Sequence, residues 1–116
     1  MIVKKVLDAY DMSADKTETV VLKDISMHTE FATIGVSWRS AEGTLDGTLN
    51  IYVSDNPDPI DASDYDLEKS ITIDAANNNL DKLIYYISAQ ISTLKFVYTK
   101  NNITAGELTV TVGTGG

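Results

Sequence analysis

An all-β fold is predicted for this chain: an antiparallel β-sandwich, jelly-roll-like, with about seven or eight strands. Three observations carry that prediction. Apolar residues recur at every second position in 34–38, 45–53, 71–73, 94–98 and 108–112, the period of a strand with one buried and one wet face. Polar turn residues interrupt the alternation at intervals of about ten residues, the spacing of short antiparallel strands. Hydrophobic residues make up 43% and charged residues 22% of the chain, which suits a single folded domain over residues 1–116.

The elements follow in order. In IVKKVLDAY, Ile2, Val3, Val6, Leu7 and Tyr10 fit helical i, i+4 spacing as well as a strand, but nine residues make a marginal helix. Their apolar content exceeds what a free arm requires. Residues 1–10 are therefore either an arm docking on another subunit or an edge strand of the same domain. TETVVLKDI, 17–25, is β-rich and reads as a strand near a sheet edge.

Ile34, Val36 and Trp38 alternate with Gly35 and Ser37, and after RSAEGT the pattern resumes at Leu45, Gly47, Leu49, Ile51 and Val53. This pair reads as a β-hairpin. Ile71 and Ile73, then Leu94, Phe96 and Tyr98, then Leu108, Val110 and Val112 mark three more strands. In LDKLIYYISAQI, 80–91, Leu80, Leu83, Ile84 and Ile87 fit a helical stripe, whereas Tyr85, Tyr86 and Ile87 favour a strand; the segment is read as a strand. The closing GTGG, 113–116, has the composition of a flexible tail.

The phase of the alternation predicts a core of Trp38, Leu49, Ile51, Phe96, Leu108 and Val110, with Asn50, Tyr52, Lys95, Thr109 and Thr111 facing outward. DGTLNIYV at 46–53 and AGELTVTV at 105–112 share the form x-G-x-L-x-[IV]-x-V. In both, Gly precedes an alternating strand, where it permits a bulge or a close backbone approach.

Composition excludes several functions. A net charge of −8 opposes phosphate backbones and anionic membranes, so neither nucleic acid nor a membrane is an expected partner. No apolar run approaches the length of a membrane span, and the N-terminal segment is too short and charged for a signal peptide. The absence of cysteine removes disulfides and thiolate chemistry and suits synthesis in a reducing cytoplasm.

Asp55, Asn56, Asp58, Asp61, Asp64 and Asp66 form an acidic loop rich in the oxygen ligands that calcium takes. From Asp55, however, the sixth position is Ile60 and the twelfth Asp66, where an EF-hand needs Gly and Glu. Calcium at Asp55, Asp58, Asp61, Asp64 and Asp66 is thus the minority reading beside solvation, capping and turn formation, and no other cofactor is expected. Pro57 and Pro59 make the loop semi-rigid.

His28, the single histidine, has no nucleophile motif to serve. With 17 acidic residues, some carboxylate pair at glycosidase separation is inevitable and carries no signal. No enzyme is predicted. Tyr52, outward on its strand, and Tyr65, in the acidic loop, are the candidates for a partner-binding or sugar-stacking surface.

Ser37 and Trp38, Gly47 to Leu49, Val53 to Asn56, Val97 to Thr99 and Gly106 to Leu108 together resemble small β-sandwich virion proteins of tailed bacteriophages. The resemblance spans residues 17 to 112. It implies a non-enzymatic structural protein: a capsid decoration or cement protein, a head-fibre component or a tail-associated module, commonly a trimer. Its implied partners are other virion proteins, such as the major capsid protein or fibre subunits. The acidic balance favours the outer surface of the virion, away from packaged DNA.

The chain departs from that pattern at Asp55 to Pro59, where Asn-Asp-Gly and Asn-Trp are usual, and at Lys95, where Arg is commoner. The alternative expectation is a carbohydrate- or receptor-binding module using exposed tyrosines and the acidic loop.

Overall fold

The computed structural model describes residues 2–24, 31–56, 58–74, 79–86 and 92–115. Among them the alternating segments become eight strands: β1 (Ile2–Asp11), β2 (Lys16–Val21), β3 (Phe31–Gly43), β4 (Thr48–Ser54), β5 (Asp66–Thr72), β6 (Asn79–Tyr86), β7 (Thr93–Thr99) and β8 (Ile103–Gly115). Single turns of 3₁₀-helix follow β2 and precede β5, at Leu22–Asp24 and Ala62–Asp64. No helix among the described residues is long and apolar enough to cross a membrane.

The strands form two antiparallel four-stranded sheets, ordered β1-β8-β3-β6 and β2-β7-β4-β5. Apart from β4 and β5, consecutive strands lie in opposite sheets, the jelly-roll form of a β-sandwich. Ile34, Val36 and Trp38 of β3 and Leu108, Val110 and Val112 of β8 meet Leu49 and Ile51 of β4 and Leu94, Phe96 and Tyr98 of β7 in one core. All six residues assigned to the core from phase are buried. Period-two alternation fixes which face a residue occupies, and burial follows.

Phase does not choose a strand's partner, and the predicted β3–β4 hairpin is corrected here. β3 pairs with β6 and β8, whereas β4 pairs with β5 and β7 in the other sheet. Residues 39–43 of RSAEGT are absorbed into the irregular end of β3. Ser40 and Gly43 have positive φ of 56° and 88°, and the register against β8 shifts between Arg39 and Gly43. Residues 44–47 then carry the chain across to the second sheet.

Both glycines of the repeated motif sit at tight approaches. A Cβ on Gly47 would lie 2.6 Å from Ile103 Cδ1. Gly106, at φ +137°, would place one 2.9 Å from Ala41 Cα, opposite the irregular end of β3. Gly47 meets its demand where β4 enters the sheet, and Gly106 within β8 at the register shift against β3.

Both segments that allowed helix or strand are strands over their described parts. Residues 2–11 are β1, along the free edge of β8, with register shifts at Lys5/Leu7 and Leu7/Tyr10. Residues 80–86 belong to β6, paired with β3, while 87–91 lie outside the described residues. The strand expected over 17–25 ends at Val21.

The tail expected at 113–116 is also corrected over 113–115, Gly116 lying outside the described residues. Gly113 and Thr114 continue β8, opposite Val3 and Ile2 on one side and Thr33 and Ala32 on the other. Flexible composition is overridden by pairing on both edges.

Candidate functional site

On β4, Leu49, Ile51 and Val53 point into the core, so Asn50 and Tyr52 fall on the outer face of the second sheet. Neighbouring strands put Lys95 of β7 on one side of Tyr52 and Leu67 of β5 on the other. Tyr65 follows the 3₁₀ turn and enters β5 beside them. The Lys95 ammonium nitrogen lies 4.0 Å from the Tyr65 ring centroid and 5.1 Å from that of Tyr52. Both distances are within the range of attraction between a cation and an aromatic face. The two tyrosines singled out from sequence are thus brought together around a lysine.

Two apolar side chains, one of β5 and one of the acidic loop, are solvent-exposed. Leu67 is 55% exposed and Ile60, in the acidic loop, 85% exposed. Asn50 Oδ1 is buried without a hydrogen-bond partner.

The acidic loop is organised by its own polar groups. Ser54 Oγ accepts from the Asn56 amide at 3.1 Å, and Asn56 Oδ1 accepts from the Asp58 amide at 2.8 Å. Asp64 Oδ2 accepts from the amides of Ile60 and Asp61 at 2.9 and 3.0 Å. These bonds, led by that from Asp61, hold the Asp64 carboxyl below its ordinary range. The hydroxyls of Ser92 and Thr93 donate to the carbonyls of Asp55 and Asn56 at 3.3 and 3.0 Å, fastening the start of the loop to β7.

Asp55, Asp58, Asp61 and Asp66 are exposed, and Asp64 is engaged with the backbone. Among the described residues no three acidic or histidine side chains gather as a metal-holding group. His28 lies outside the described residues.

The N-terminal candidates divide. Leu7 is buried in the domain's own core, and Val6 and Tyr10 pack against it; the Tyr10 hydroxyl donates to the Asp15 carbonyl at 3.0 Å. Leu7 is therefore withdrawn as a partner-binding residue, because intramolecular packing accounts for its apolar character. Val3 is 61% exposed, and the Ile2 side chain lies outside the described ones.

Lys95 and Leu67 were missed as site residues. The phase of LKFVYT placed Lys95 outward, but its tyrosine neighbours come from strand pairing and a loop. Leu67 sits beyond a register shift between Ile51 and Tyr52, which obscures the strand's period.

No family model matches the chain, and no curated protein sequence does. Solved structures do share its fold. One is the SPBc2 prophage-derived protein YomS, with 14% identity and a TM-score of 0.56 over 95% of this chain and 88% of the other. Another is the K2 cleaved adhesin domain of Lys-gingipain, with 9% identity and a TM-score of 0.55 over 97% of this chain and 70% of the other. At these identities the likeness is one of fold: the chain is a β-sandwich of a kind found in a prophage-derived protein and in an adhesin domain.

Proposed function

We propose that this chain is a non-enzymatic structural protein of a tailed-phage particle, a capsid decoration or head-fibre component that docks on other virion subunits. The observation that carries this reading is the outer face of the second sheet, where Tyr52, Lys95, Tyr65 and exposed Leu67 form an aromatic and apolar surface. Interfaces are enriched in tyrosine, which buries large area at low entropic cost, and an exposed leucine beside it adds apolar area to bury. The sequence resemblance to phage virion proteins and the fold shared with a prophage-derived protein support the assignment. The resemblance favours a trimer, and the charge of −8 favours the outer surface, away from packaged DNA.

Localisation by cryo-electron microscopy in purified particles tests the proposal, with occupancy measured for Tyr52→Ala and Leu67→Asp. The expected result is density on the particle exterior and occupancy reduced at least tenfold, roughly the loss of one interface anchor. Absence from the particle, or full occupancy by both folded variants, would overturn it.

A second reading is glycan binding on the same face, favoured by the paired tyrosine rings. Lys95 lies over both rings, so a stacked sugar must use their remaining surface or displace it. A glycan array probed with and without calcium separates the two readings, and calcium-dependent binding would promote the second.

A further inference from the structure

Lys95 stands where the acidic loop meets the sheet. The loop's first residues are tied to β7 by Ser92 and Thr93. Its later half is held internally, by Asp64 accepting from Ile60 and Asp61 and by the Tyr65 amide donating to the Ala62 carbonyl at 3.2 Å. Those bonds shape the turn, and the pairing of Asp66 with Val53 anchors its end on β4. From β7, the Lys95 ammonium reaches the Tyr65 ring of this half at 4.0 Å, with Tyr52 on β4 as the second ring at 5.1 Å.

We propose that Lys95 is a positioning residue, a cationic clasp that holds Tyr65 and the acidic loop against the sheet so that Tyr52, Tyr65 and Leu67 present one docking surface. The inference rests on the reading that this face binds a partner. Its chemistry requires both charge and reach. Methionine, unbranched and one atom shorter, keeps most of the packing and loses the charge that attracts the rings, whereas arginine keeps both.

The test uses the full chain with Lys95→Met and Lys95→Arg, both checked for wild-type melting. Amide hydrogen exchange at Asp61, Asp64 and Tyr65 should rise about tenfold in Lys95→Met and stay near wild type in Lys95→Arg. Exchange at Ile51 and Phe96 should not change. In wild-type protein the Lys95 ε-methylene protons should resonate upfield under the ring currents, and Tyr65→Leu should abolish much of that shift. Unchanged loop exchange in Lys95→Met would overturn the clasp whatever the partner.

Particle occupancy supplies the independent arm. It should fall several-fold in Lys95→Met and recover in Lys95→Arg, in proportion to the population of the ordered loop. A loosened loop with full occupancy would show that the clasp exists but does not serve docking. If Leu67→Asp also kept full occupancy, the docking reading of this face would fail with it.

Discussion

Tyr98 concentrates several demands in one side chain. It is buried on β7, and its hydroxyl donates to the Met12 carbonyl at 2.8 Å. Burial pushes the phenol up to about 12, with the negative fields of Asp15, Tyr10 and Asp11 adding to it. The folded state thus keeps its proton where an unfolded tyrosine loses it. The resulting stability is complete below pH ~10 and is lost as pH rises toward the folded value, at about 1.4 kcal/mol per unit. Replacing Tyr98 by Phe should cost about 1–2 kcal/mol near neutrality through the lost hydrogen bond. It should also flatten the decline between pH ~10 and ~12 relative to wild type. Urea unfolding of both proteins across that range checks this, and parallel curves would refute it. The phase of LKFVYT was enough to turn Tyr98 inward. Its acceptor, 86 residues away in sequence, is set by the crossing of β1 to β2 and leaves no local pattern to read.

Where the chain crosses from β3 to β4 and from β7 to β8, side chains pin the two connections together beside the Lys100–Ile103 turn. Residues 44–47 lead from β3 to β4 and residues 100–102 from β7 to β8. Asp46 joins the two: its carboxylate accepts from the Asn102 backbone amide at 2.8 Å and from its side-chain amide at 2.6 Å, while its carbonyl accepts from Asn101 Nδ2 at 2.6 Å. Asp15 extends the array by accepting from the Lys100 amide at 2.8 Å. These bonds explain why RSAEGT does not close a hairpin. The connection is stabilised by a neighbouring crossing rather than by pairing of its own flanking strands. The amides of Asn102, backbone before side chain, hold the Asp46 carboxyl below its ordinary range. Its contribution is therefore present above that range and lost as pH falls through the lowered folded value. Asp46→Ala should lower the melting temperature by a few degrees at neutral pH and weaken the acid dependence. Melting from pH 7 to pH 3 measures both effects, and an acid limb identical to wild type would remove Asp46 from the account. The strands themselves were legible because alternation is local. The crossings were not, because Asp46 and Asn102 look like ordinary turn residues until the topology brings them together.

At the scale of the whole molecule, β1 decides whether the sandwich stands without a partner. It covers the edge of β8 from Leu108 to Thr114, places Leu7 in the core with Val6 and Tyr10 against it, and receives the Thr109 hydroxyl as acceptor for the Ala9 amide at 3.1 Å. Apolar residues near a chain end suggested either an arm or an edge strand, and sequence alone did not choose, since both bury the same side chains. Register shifts and Lys4 and Lys5 make β1 a poor template for further strands, the usual protection of a sheet edge. Deleting residues 1–10 should uncover β8 and open a cavity at Leu7. Loss of one buried leucine costs about 2–5 kcal/mol, so the melting temperature should fall by more than about 10 °C, with self-association through the exposed strand. Scanning calorimetry and light scattering on the truncated chain give the answer: wild-type melting of a dispersed protein would show that β1 is dispensable to the core. If the truncation destabilises as expected, its absence from particles reports unfolding and says nothing about docking. Attachment is then better tested on the outer face of the second sheet, at Tyr52, Leu67 and Lys95, where single substitutions leave the core intact.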